Sequence, residues 1–397
     1  MQEKRNLNSL KMTRKLFILV FAFIGIVNCA KAQVVVASGE CGASGSNLNW
    51  VLTSDSVLTI SGNGAMADFD YYPDEPNLAP WRKAGYSLSF HTLHVETGVT
   101  TIGSSAFANC KRLISFTFPN SITKIGTLSF YGCAMATINI PSSVINIETW
   151  AFAICLNLTS IDVENGNNNY VSENGVLFNK NKSALLLYPI GKTATSYIIP
   201  NSVTSIADGA FSNTRLTSVN IPEGVTSIGE EAFEECTNLR SVTISSTVNS
   251  IGDLAFQSCR NLISITNLNP NPVEIDEFVF LNVNQEACTL KVPTSAVSAY
   301  QNAEVWKEFL IEGIDVGIAS IATVNVPIYP NPTNDKFIID CNAFSTIKLY
   351  DMFGKEILTQ TANGKTEVNI SHLPKGVYSV CVLSNGEVIG NSKIVKQ

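Results

Sequence analysis

Charge is scarce in this chain. Asp, Glu, Lys and Arg make up 15% of its 397 residues, against about a quarter in an ordinary soluble domain. Histidine is scarcer still, with His91, His94 and His372 alone. His91 and His94 fall in one extended segment, and strand alternation sends them to opposite faces, so they do not read as a metal pair. Ten cysteines occur, yet no two stand at the C-x-x-C spacing of zinc and redox sites. No Ser or Cys is framed by a nucleophile motif, and no phosphate-binding glycine loop is found. The longest apolar run has twelve residues, where a bilayer span needs about 20. The expectation is a chain with no cofactor, no catalytic centre and no transmembrane segment.

One cluster keeps an enzyme reading open. Glu230-Glu231 and Glu234-Glu235 crowd one short stretch, and a glycosidase needs only two carboxylates about 5–9.5 Å apart. No calcium-loop pattern accompanies them. The favoured reading is a solvated acidic corner with its side chains pointing outward.

The first 32 residues read as a signal peptide. Lys4, Arg5, Lys11, Arg14 and Lys15 precede the apolar run 16–27, and Ala30-Lys31-Ala32 offers a cleavage site between Ala32 and Gln33. Asn28 before Cys29 is not the small residue that a lipid-modified cysteine follows, which argues against lipidation. Removing this basic segment shifts the net charge from −7 to −12. Such a surface repels nucleic acid and anionic membranes.

What the chain does contain is a recurring phrase. An Ile is followed by Ala-Phe at four and five residues, Cys three further, and then Leu. The copies are Ile102, Phe107, Cys110; Ile125, Phe130, Cys133; Ile147, Phe152, Cys155; Ile206, Phe211, without a Cys; Ile228, Phe233, Cys236; and Ile251, Phe256, Cys259. A worn seventh copy runs from Ile275 to Phe280. Among the six clear copies, spacings of 22 or 23 residues, with one gap of 59, mean a solenoid. Four copies are preceded by a short strand ending in an apolar-Pro step, at Phe118-Pro119, Ile140-Pro141, Ile199-Pro200 and Ile221-Pro222. The Ile, Phe and Leu of each coil stack on their counterparts, because one coil cannot bury its apolar face alone. The cysteines form a column of small buried thiols; the competing metal or redox reading lacks the spacing. Cys41 and Cys288 belong to caps.

Around the repeats the chain divides as follows. Residues 33–95 form a β-rich cap, with a hairpin about Ser54-Asp55 and with Trp50 and Trp81 as cover. The repeats fill 96–268. A hairpin-bearing insert at 163–200 is read first as a structural coil and second as a ridge beside a binding face. Residues 269–315 form a closing cap whose stretch 295–309 reads as an amphipathic helix. A linker at 316–326 leads to a domain at 327–397. There, strands at 336–340, 346–350, 355–359, 366–370, 377–383 and 392–395, punctuated by turns such as Asn363-Gly364, imply a small antiparallel β-sandwich of immunoglobulin-like type. Cys341 and Cys381 lie in it and could pair.

The repeated Ile-Gly, Ala-Phe, Cys and Leu positions resemble the BspA-like (Treponema pallidum type) leucine-rich repeats. That resemblance implies a mainly β leucine-rich-repeat solenoid between a β-rich and a helical cap. The last domain resembles the type IX secretion (Por) C-terminal sorting domain of Bacteroidota. The matching residues are Tyr329-Pro330-Asn331-Pro332, the stretch 349–355 with Gly354, Leu373-Pro374-Lys375-Gly376-Val377-Tyr378, and the ending with Lys393 and Lys396. It implies the type IX secretion machinery as partner, and a product secreted or held at the outer-membrane surface of a Gram-negative bacterium. Members of the repeat family include adhesins. The expected function is therefore adhesion to an extracellular protein or glycan ligand. Glycan capture for nutrition is the alternative, with Tyr71, Tyr72, Tyr170 and Tyr188 as candidate contact residues, and a degradative surface enzyme comes third.

Overall fold

The computed structural model describes residues 33–315, 328–351, 356–384 and 387–397. The signal segment with its Ala32 cleavage position, the linker and Gly354 lie outside the described residues. The rest falls into two compact units. One runs to Leu290 and includes Gln301–Leu310; the other takes Lys291–Tyr300 and everything from Ile311 onward. The closing-cap segment 269–315 is thus shared between the two.

In the first unit each coil carries two short strands. Two-residue strands at the Ile position pair in parallel, Lys124–Ile125 between Val99–Ile102 and Asn146–Ile147, and later Ser205–Ile206, Ser227–Ile228 and Ser250–Ile251. The longer strands that precede these form a second parallel ladder, for example Ser218–Ile221 on Ser241–Ile244 on Ser264–Asn267. Both ladders are interrupted at the insert.

The Phe of each copy points inward, and the rings stack. Trp81, Phe107, Phe130 and Phe152 follow one another at 5.1, 5.3 and 5.7 Å. After the insert, Tyr188, Phe211, Phe233, Phe256 and Phe280 continue at 5.5, 5.0, 5.2 and 5.4 Å. These separations follow the strand spacing of about 4.8 Å. At the N-terminal end Val35–Gly42 adds a strand to the hairpin of Gly45–Thr53 and Val57–Gly62. Trp81 there stands in for a preceding coil. It lies flat on Phe107, and its indole N–H donates to the Ala106 carbonyl at 2.8 Å. At the other end Trp306 and Phe309 set their edges against Phe280. The helix expected over 295–309 is not continuous. Val297–Asn302 is its only α-helical part, flanked by single 3-10 turns at Thr294–Ala296 and Trp306–Glu308, because Val305 takes φ +67° and breaks the run.

The C-terminal part of the second unit is a sandwich-like antiparallel sheet built on two long strands, Lys336–Tyr350 and Glu356–Asn369. Six short strands expected there are in fact fewer and longer. Asn363-Gly364 does not end a strand: Gly364, at φ +70°, faces Cys341 where the register shifts, so the turn signal is realised as a bulge. Phe337, Ile347, Leu349, Val368, Val380 and Ile394 fill the core. Cys341 and Cys381 do not pair. Cys381 lies opposite Lys348, seven residues along the strand from Cys341. That is roughly 20 Å, where a disulfide needs Cα atoms within about 7 Å.

Candidate functional site

The stretch around each Ala-Phe is a corner with a backbone rule of its own. The residue before Ala-Phe and the residue two after the Phe both take positive φ. The first set is Ser105, Leu128, Trp150, Gly209, Glu231 and Leu254; the second is Asn109, Gly132, Ile154, Asn213, Glu235 and Ser258. For residues with a β-carbon this conformation costs about 1–2 kcal/mol each. What offsets it is a third ladder. The amides of Glu231, Phe233 and Glu235 donate to the carbonyls of Asp253, Ala255 and Gln257 at 2.8–2.9 Å. The same three bonds join Ser105, Phe107 and Asn109 to Thr127, Ser129 and Tyr131. Nothing in these residue types announces a left-handed backbone, so sequence reading missed it.

The cysteine column is a structural one. Cys133, Cys155, Cys236 and Cys259 each donate their thiol to the carbonyl of the preceding coil's Phe, at 3.0–3.2 Å. Burial pushes the thiols of Cys110 and Cys155 up to about 12, and that of Cys236 to about 11. They are neutral donors, unsuited to nucleophilic work. Thr214 fills the position of the missing Cys, 3.3 Å from Cys236 Sγ. The six Ile and six Phe of the repeat are buried, except Ile147, which is partly exposed beside the insert.

The acidic corner departs from the expected solvated arrangement. Glu230 is exposed, but Glu231, Glu234 and Glu235 are half-buried. Burial first, then the Glu231 carboxylate, pushes Glu234 up to about 7. Gln257 donates to it at 3.2 Å. Among the candidate aromatics, Tyr72 is 67% exposed. Tyr188 is a core ring of the Phe stack, and Tyr170 is half-buried with its hydroxyl accepting the Ile147 amide at 2.8 Å. These two are therefore not surface contact residues. His94 is exposed on its strand, while His91 lies just before it.

The insert carries an irregular corner. Leu185 pairs with Ile206, and Tyr188 stacks on Phe211 and donates to Ala210. Leu185 and Tyr188 are therefore the Ile and Phe of an extra coil. They stand three residues apart where every other coil has five. The missing length leaves a cavity of about 210 Å³ between Trp150 and Ala207.

In the sorting domain, Asn331 ties the two ends together, and Lys396 ties the C-terminal strand to the segment from Ile370 to Leu373. The Asn331 amide donates to the Lys393 carbonyl at 2.6 Å and accepts the Val395 N–H at 3.0 Å. Lys396 is 7% exposed, and its ammonium donates to the carbonyls of Ile370, Ser371 and Leu373 at 2.8, 2.7 and 2.5 Å. Tyr378 donates its hydroxyl to Pro374 at 2.6 Å, and a β-carbon on Gly376 would meet its ring. Tyr329 lies in the strand Ile328–Tyr329, with Pro330 and Pro332 on either side of Asn331.

Among the described residues no helix is long and apolar enough to cross a membrane. Residues 83–183 and 191–303 match the BspA type leucine rich repeat region in six copies, and residues 327–397 match the secretion system C-terminal sorting domain. A leucine-rich repeat protein of Eubacterium ventriosum is 30% identical over 65% of this chain and 78% of its own, with a TM-score of 0.47. A leucine rich cell surface protein of Faecalibacterium prausnitzii is 20% identical over 74% of this chain and 97% of its own, with a TM-score of 0.48. An endo-acting ulvan lyase of Formosa agariphila is 31% identical over 80 residues, which are 19% of this chain; the chain spans 16% of that relative's length. The sorting domain marks this chain for type IX secretion, to the cell surface or the medium. The repeat match alone takes in more than half of the sequence, and the chain belongs to the BspA-type leucine-rich-repeat proteins.

Proposed function

We propose that this protein is an adhesin whose solenoid strands meet a protein or glycan on another surface. One observation carries the reading. The outward residues of the longer strands form two rows, Ser196, Ser218, Ser241 and Ser264, and Ile198, Asn220, Thr243 and Thr266. The face is small, uncharged and in register, with Ile198 standing 89% exposed among polar neighbours. Such a face offers many modest contacts, which suits binding by an extended repeat surface. A catalytic role draws no support from the buried thiols, and the acidic corner presents its carboxyls half-buried against one another.

The test is a binding screen of residues 33–397 against matrix proteins, mucins, host glycans and whole bacteria. Saturable binding that Ile198→Asp and Thr243→Arg together abolish is the expected result. Binding untouched by those changes, or activity on a polysaccharide lost in Glu231→Ala with Glu235→Ala, would overturn it. Glycan capture is the second reading, favoured by the exposed Tyr72 beside Tyr71; glycan hits lost in Tyr72→Ala would select it.

A further inference from the structure

We infer that the cavity at the insert is a receptor for a basic peptide segment with one large apolar anchor residue. The inference deepens the adhesin reading and rests on it. At the full copies on either side of the insert a coil's corner is covered by the next one. Leu128, Phe130 and Gly132 give their amides to Thr149, Ala151 and Ala153. Gly209, Phe211 and Asn213 give theirs to Glu230, Ala232 and Glu234. At the coil between them, Trp150, Phe152 and Ile154 make no such forward bonds among the described residues. The extra coil that should accept them has the shortened corner from Leu185 to Tyr188. Three backbone donors are thus left unmatched, two of them, on Trp150 and Phe152, in the wall of the cavity, whose apolar lining includes Ile147, Trp150, Leu177, Leu186 and Ala207.

The sibling junctions show what fits such a wall. Each is filled by the next coil's corner, a turn with left-handed residues that offers carbonyls at alternate residues and directs a side chain inward between them. A peptide that offers carbonyls at alternate residues along Trp150–Ile154 would complete the interrupted ladder as the sibling corners do. The volume of about 210 Å³ is below the ~300 Å³ at which sites for drug-sized ligands begin. It admits one large side chain and not an oligosaccharide. At the rim the charged groups are Glu148 and Asp208, both acidic. Glu148 is held by Lys124 at 2.7 Å, whereas Asp208 is exposed. Lys or Arg beside the anchor is therefore favoured, in keeping with the chain's acidic balance.

The experiment selects peptides from a random displayed library on residues 33–397. Two readouts follow. Trp50, Trp81 and Trp306 are buried and Trp150 is partly exposed, so a change in tryptophan fluorescence reports the cavity. Amide hydrogen exchange reports the donors. In the free protein the amides of Trp150, Phe152 and Ile154 should exchange faster than those of Phe130 and Phe233, and a selected peptide should slow them. Ala207→Phe, which fills the cavity, should weaken binding at least about tenfold; Asp208→Asn should weaken it about threefold. The inference fails if the three amides are already as protected as their counterparts, or if selected peptides bind Ala207→Phe unchanged. A chain that binds cells or matrix yet selects no such peptide sinks this inference and leaves the adhesin reading standing. One that selects peptides and meets no surface ligand does the reverse.

Discussion

The ring of Trp150 lies over Gly209 so closely that a β-carbon on Gly209 would fall 2.0 Å from it. Both residues occupy the same corner position of successive full copies, at φ +62° and +61°. A large side chain and an absent one are matched across the shortened coil. Gly209→Ala should therefore destabilise the solenoid by about 2 kcal/mol or more, from the left-handed backbone and the collision together. Adding Trp150→Ala should return part of that loss, since the two residues share one space. Denaturant melts of the single and double variants measure the coupling; strict additivity would refute the contact.

Ser129 stands where the other full copies have Ala, and its hydroxyl is fully buried with no hydrogen-bond partner. Restoring the repeat with Ser129→Ala removes a desolvated polar group. The expected gain is about 1–2 kcal/mol, read as a higher urea midpoint with an unchanged slope. A loss of stability would mean that the hydroxyl is satisfied in solution.

Glu234 makes the solenoid sensitive to pH. Its carboxyl sits at about 7 in the fold, above the ordinary 4.5, so the folded state holds a proton that the unfolded chain has released. The associated stability is complete below about pH 4.5 and is lost as pH rises through 7. Glu234→Gln should gain relative to the native protein at pH 8 and not at pH 4. Equal differences in Tm at both values would sink the assignment.

The thiols of the repeat should be inert while the protein is folded. With Cys110, Cys155 and Cys236 raised to about 11–12 by burial, a thiol reagent at pH 8 should leave the column untouched and label it only after denaturation. Cys381 alone, among the described cysteines, is not buried, and it should react first. Rapid labelling of Cys133 or Cys259 would contradict the packing.

Lys396→Ala should destabilise the sorting domain. It leaves the carbonyls of Ile370, Ser371 and Leu373 without their shared donor. Hydrogen bonds to a charged group contribute about 1.5–3 kcal/mol each, so a marginal domain would unfold in part. The expected outcome in cells is retention of the chain before the surface, measured by surface labelling against total protein.

Much of this architecture was legible in the sequence. The inward Ile and Phe, the thiol column and the two domain resemblances all rest on local spacing, and a repeat writes its packing once per coil. The extra coil was half legible. Its hairpin is legible, but Tyr188 has the signature of a surface residue because the stretch lacks the Ile-to-Phe spacing. Only pairing of Leu185 with Ile206 reveals it as a core ring. Likewise, Asn363-Gly364 reads locally as a turn, and the bulge opposite Cys341 follows from a partner strand that no local window contains.

The sequence by itself determined the period, the identity of the buried column and the address of the chain, because side-chain burial at fixed intervals is a local property. Tertiary structure alone decided the left-handed corners, the unmatched amides of Trp150, Phe152 and Ile154 and the cavity before Ala207. Those depend on which stretch of backbone lies in the next coil, and a shortening of two residues at Leu185–Tyr188 changes that neighbour without changing the repeat on either side.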